Sequence, residues 1–131
     1  YGGNASILAS YTCTPVVHFP LDDIKPGQQI KGRTVAELGS HNRPLDMVSY
    51  LRDGEEYLLV ANAVHPLMKI ACRDIDQQAP LTDPDEPLGV PRQELPHAAV
   101  KRLANLNGSY VVMIQEDDAG SHLRSYSITT L

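Results

Sequence analysis

Hydrophobic and polar positions divide the chain into short apolar runs separated by turn residues, the pattern of an all-β protein. The clearest stretch is residues 43–75, RPLDMVSYLRDGEEYLLVANAVHPLMKIACRDI. Pro44 opens a strand over residues 45–51, and Arg52-Asp53-Gly54-Glu55 forms a turn. Residues 57–63 make a second strand, Val64-His65-Pro66 turns again, and residues 67–72 make a third. Before this unit the pattern predicts strands over 6–12, 16–21 and 30–38, after a flexible lead at 1–4. Residues 39–43 read as a polar loop. After it, residues 76–96 hold five of the ten prolines and several acids, a density no helix tolerates. That segment reads as a loose surface loop with one outer strand near Gly89-Val90. Strands resume over 98–104, 109–115 and 122–128, joined by an Asn107-Gly108 turn and by an acidic, solvated loop over 116–121.

The strands repeat. Setting Pro15 on Pro66 brings Ile7, Leu8 and Ala9 onto Leu58, Leu59 and Val60, and Val17 and Phe19 onto Met68 and Ile70. Setting Leu59 on Val112 brings Val60 onto Met113 and Ile70 onto Leu123. A period of about 50 residues with four short strands per unit is the mark of β-propeller blades. Each blade is a sheet that must cover both faces, so continuous apolar runs are expected in place of alternating ones. The predicted architecture is all-β: about three four-stranded antiparallel blades, roughly 1–39, 40–96 and 97–131, in a single propeller segment. Three blades fall short of the usual ring of about four to eight. The expected partners are therefore the remaining blades of a larger chain, or other chains that close the ring. A small sandwich or irregular barrel is the rival architecture.

Pro44-Leu45-Asp46-Met47-Val48, then Asp53-Gly54, then Tyr57-Leu58-Leu59-Val60-Ala61-Asn62, then Met68-Lys69-Ile70 resembles the NHL-type propeller blade. That consensus runs roughly P-x-G-I-A-V-D, D-G-N-V-Y-V-A-D, R-I-x-x-F. The chain departs from it at Asp46, where the family usually has Gly, and at Asn62, where it often has Asp. The resemblance implies architecture and says almost nothing of activity. It also orders the loops. One end of the blades should gather residues 11–14, 39–43, 62–65, 92–97 and 116–122, with four of the five histidines. The turns at 52–54 and 105–108 should lie at the opposite end.

On the first end, His41, Asn42, Arg43, Asp46, Asn62 and His65 form the candidate ligand-binding cluster. Imidazole suits zinc or copper, and carboxylate with amide oxygens suits calcium, but the spacing matches no metal motif, so neither a metal nor a cofactor is assigned. Exposed loop histidines are the plainer reading, and Asp46 could instead bond the backbone of the next blade. No nucleophile elbow and no phosphate loop is present.

The expected function is a binding or scaffold module that recognises a protein or small ligand through this loop face. The alternative is part of a propeller enzyme, lactonase-like or quinoprotein-like, with a metal or substrate site at the channel mouth. Composition narrows the partners. The net charge is −5, the pI is near 5.4 and no basic stripe occurs, so nucleic acid is not expected. No apolar run is long enough to span a membrane, and no membrane partner is expected. Propellers of this composition suggest a periplasmic or secreted protein. Cys13 and Cys72 read as a disulfide or as two buried thiols.

Overall fold

A computed structural model describes residues 5–82 and 88–131. The predicted lead at 1–4 and the centre of the proline-rich segment, 83–87, lie outside the described residues. The protein is all-β, with three antiparallel sheets and one short helix.

The first sheet has the order β1 (Ser6–Ser10), β2 (Cys13–Pro20), β3 (Arg33–Asn42), β7 (Leu88–Gly89). The middle sheet has β4 (Pro44–Arg52), β5 (Glu55–Asn62), β6 (Met68–Ala71), β8 (Arg92–Glu94). The third has β11 (Gly120–Ser127), β10 (Tyr110–Asp117), β9 (Val100–Leu106). Helix α1 (Cys72–Gln77) follows β6 directly.

Tight turns set the hairpins. Asp53-Gly54 and Asn107-Gly108 both take positive φ at both residues, 54° and 79°, then 48° and 69°. That is the type I′ geometry whose twist matches the flanking strands.

The middle sheet is covered on both faces because side chains alternate along β5. Leu58 and Val60 face the first sheet, in a cluster with Val16, Val35, Leu38, Met68, Ile70 and Ile75. Leu59 and Ala61 face the third, in a cluster with Leu67, Leu95, Leu103, Val111 and Met113. Burial on both faces explains the unbroken apolar run in β5, where all four of these residues are 4% exposed or less. Among the described residues the sheets form an open row with no closed ring.

Three expectations change. The segment after residue 75 is not loose where it is described. Cys72 and Ile75, one helical turn apart on α1, are both buried, and Leu81 donates its N–H to the Thr34 carbonyl at 3.0 Å. The segment then supplies two fourth strands: β7 pairs with β3 and β8 with β6. The outer strand expected near Gly89-Val90 thus belongs to the first sheet. Gly89 has φ +93°, and an added Cβ would lie 2.4 Å from the Val35 carbonyl oxygen, so only glycine fits.

Residues 39–42 are not a loop either. They complete β3, with positive φ at Gly39 and His41 and a register shift against β2 between Cys13 and Pro15. Finally, the acidic loop at 116–121 shrinks to a two-residue turn, because β10 runs to Asp117 and β11 starts at Gly120.

Candidate functional site

Hydrogen bonds join the expected loops at one end of the sheets. Cys13 pairs with Asn42 across β2 and β3. The Ala63 N–H donates to the Arg43 carbonyl at 2.9 Å, and the Leu67 N–H donates to the His97 carbonyl at 2.9 Å. The Glu116 N–H donates to the Ala99 carbonyl at 3.1 Å, and the Gln115 side-chain amide donates to the Ala98 carbonyl, also at 3.1 Å.

The centre of this end is an amide pair. Asn42 and Asn62 are 0% and 2% exposed, and the Asn62 Nδ2 donates to Asn42 Oδ1. The other Asn62 atom, Oδ1, accepts from the Val64 N–H at 3.0 Å and from the Arg43 N–H at 3.4 Å. One side chain therefore ties the β5–β6 turn to the crossover from the first sheet to the middle sheet. Asn42 Nδ2 has no hydrogen-bond partner among the described residues, and neither has the buried Nε2 of His65. An unpaired buried polar atom costs about 1–3 kcal/mol, so each of the two carries unmet hydrogen-bonding capacity. His41 and Arg43 present exposed side chains beside this pair in sequence.

Asp46 is employed elsewhere. A register shift between Pro44 and Asp46 re-aims β4. The carboxylate then accepts from the Met47 N–H through Oδ1 and from the Leu103 N–H through Oδ2, each at 2.9 Å. It links the middle sheet to the backbone of the third, the structural alternative that the sequence offered. His122 and His97 are also accounted for. Asp117 holds His122 Nε2 at 2.9 Å and Arg124 Nη2 at 3.2 Å, and these bonds, the histidine's first, hold its carboxyl below the usual range. His97 packs against Tyr126 with the rings tilted by 57° and their centres 4.4 Å apart, and burial lowers its pKa.

Comparison with protein-family models, with curated proteins and with solved structures returned no match.

The end therefore carries hydrogen-bonding chemistry built on two buried amides and a histidine. Among the described residues no three His, Cys, Asp or Glu side chains come together as a metal site requires. Three features escaped the sequence reading. Glu37, on β3, is 7% exposed with Oε2 unpartnered among the described residues. Lys69, a lone cation in an apolar strand, is buried against the third sheet. Its Nζ donates to the Leu131 carbonyl at 2.8 Å and sits 4.4 Å from the Tyr57 ring centre. Burial lowers its pKa, with Arg52 adding to the effect. The signal for it was the break in the run Leu67-Met68-Lys69-Ile70.

The third feature is a surface cleft of about 380 Å³ at the opposite end, lined in part by Glu55, Glu56, Cys72, Arg73 and Asp76. Its thiol is inert as a nucleophile, since burial pushes the Cys72 pKa to about 12. Both cysteines are free, and Cys13 is exposed rather than buried.

Proposed function

We propose that the chain is a β-propeller segment acting as a binding or scaffold module, and that it takes a protein or small ligand at the end carrying His41, Asn42, Arg43, Asn62 and His65. The observation that carries this reading is the unpartnered Asn42 Nδ2 and His65 Nε2 in a loop end otherwise closed by its own hydrogen bonds. The propeller part draws support from three antiparallel sheets packed face on face, each built on three strands consecutive in the chain, with the fourth strand of the first sheet, β7, supplied from beyond the middle sheet's first three. Asp46 serves this site by positioning β4 against the third sheet, not by touching the ligand.

Any ligand group that reaches the buried Asn42 Nδ2 must be an acceptor, such as a peptide carbonyl or a sugar hydroxyl. Thermal-shift measurements on the purified chain, with short acidic, basic and neutral peptides and with mono- and disaccharides, test the reading. It expects at least one ligand that raises Tm and loses that effect in His65→Ala and in the exposed-site variant His41→Ala. A panel without effect contradicts it, as do ligands whose effect survives both substitutions. The alternative of a propeller enzyme draws on the same end and on no separate observation. It predicts stoichiometric metal in the purified protein, lost with His65→Ala.

A further inference from the structure

We infer that the free edge of β1 is a strand-addition site whose occupant is an extended peptide strand patterned like β4. This edge belongs to the first sheet and is independent of the loop-end ligand.

The first and middle sheets pair their strands alike. In β1 and β2, Ile7 lies opposite Phe19 and Ala9 opposite Val17. In β5 and β6, Leu58 lies opposite Ile70 and Val60 opposite Met68. These are the positions that align when Pro15 is set on Pro66. On its other side β5 carries β4, with Met47 opposite Val60 and Ser49 opposite Leu58. In the third sheet β9 fills the corresponding place beside β10. In the first sheet, among the described residues, no strand lies there and β1 is the edge.

That edge is chemically prepared for a strand. The Leu21 N–H donates to the Ala5 carbonyl, and the Tyr11 N–H donates to the Pro15 carbonyl. Odd-numbered residues of β1 thus turn their backbone groups toward β2, and alternation turns those of Leu8 and Ser10 toward the open side. A groove of about 220 Å³ runs between β1 and the middle sheet, lined by Leu8, Met47, Val48, Leu58 and Cys72 among others. The side chains of an added strand would fill it. At the end of β1, Ser10 Oγ is buried without a partner among the described residues.

Natural sheets protect edges with charge, proline or shortness. Five of the six sheet edges here follow that rule. β4 has Pro44, Asp46 and Arg52; β9 has Lys101 and Arg102; β11 has Arg124; β7 and β8 have two and three residues. β1, Ser-Ile-Leu-Ala-Ser, has no charge and no proline. An unprotected edge beside an apolar groove is the arrangement that recruits an extended segment by backbone hydrogen bonds, with alternate side chains giving specificity. Among the described residues both strands of this type, β4 and β9, are already placed, so the occupant is a separate extended peptide.

A fluorescein-labelled peptide of residues 43–52, RPLDMVSYLR, titrated into the full chain tests the inference by anisotropy, with amide exchange read by NMR. The expected result is saturable one-to-one binding that slows exchange at Leu8 and Ser10. A scrambled peptide should bind about tenfold more weakly or worse. Ser10→Pro removes an edge-facing N–H and spares the β2 pairing; it should weaken binding by about tenfold. Ile7→Lys, on an exposed side chain, should do likewise without unfolding the protein, as checked by near-UV circular dichroism. Absence of binding overturns the inference. So does binding unchanged by the scramble or by both substitutions, or protection gained at β9 or β11 instead of β1.

Discussion

Strands β5 and β10 carry equally apolar runs, Leu-Leu-Val-Ala and Val-Val-Met-Ile, and live in different surroundings. Leu58, Leu59, Val60 and Ala61 are all buried, because one sheet lies on each side of β5. In β10 only alternate residues are buried: Val111 and Met113 are covered, while Tyr110 and Ile114 are 43% and 37% exposed. Beside them on the same outer face, Leu123 is 74% exposed. Among the described residues the third sheet has a partner on one face only. An unbroken apolar run therefore marks a strand fit to be covered on both sides. Whether both sides are covered depends on what stands next to it.

Cavity substitutions break the comparison most sharply. Leu59→Ala should cost about 2–5 kcal/mol in urea unfolding, whereas Leu123→Ala should stay within about 0.5 kcal/mol. Equal losses at the two positions would contradict the packing difference. Removing the link between the two sheets comes next. Asp46→Ala strips two backbone N–H groups of their charged acceptor and should cost about 1.5–3 kcal/mol, with Leu103 losing amide protection. Gly89→Ala should cost about 1–2 kcal/mol, because the Cβ meets the Val35 carbonyl at a positive φ; exchange should quicken at Val90.

The smallest effect is a pH dependence. His18 and His97 are both held below the ordinary histidine value, chiefly by burial. The unfolded chain therefore takes up protons first. Their contribution is present above about pH 6.5 and is lost as pH falls through the lower folded values. Urea midpoints measured between pH 7.5 and pH 5 should decline, and His18→Gln with His97→Gln should flatten that slope.

Much of the strand order was legible because turn residues mark it. Asp53-Gly54 and Asn107-Gly108 fall at the hairpins that their chemistry predicts. The end of β3 was not legible. Gly39 and His41 take positive φ there, and the polar residues 39–42 stay in the strand by pairing with β2 across an irregular register. Helix α1 was missed because it spans only six residues and its N-cap position, Ala71, offers no side-chain cap. The strands at 88–89 and 92–94 lie among prolines and exist through backbone pairing with sheets far back in the chain.

At the candidate site, Asn42 at the end of β3 and Asn62 at the end of β5 meet through their side-chain hydrogen bond. The acceptor role of Asp46 depends on Leu103, 57 residues away, and no local pattern could choose it over a ligand. Lys69 was hidden for the same reason, since its partner, the Leu131 carbonyl, is 62 residues away.

Native-state amide exchange across the whole chain tests most directly the claim that the middle sheet, covered on both faces, is the stable centre. The slowest exchange is expected at Leu59, Val60 and Ile70, near the free energy of global unfolding, with faster exchange in β1 and β11. Amides of β1 or β11 as protected as those of β5 would contradict it.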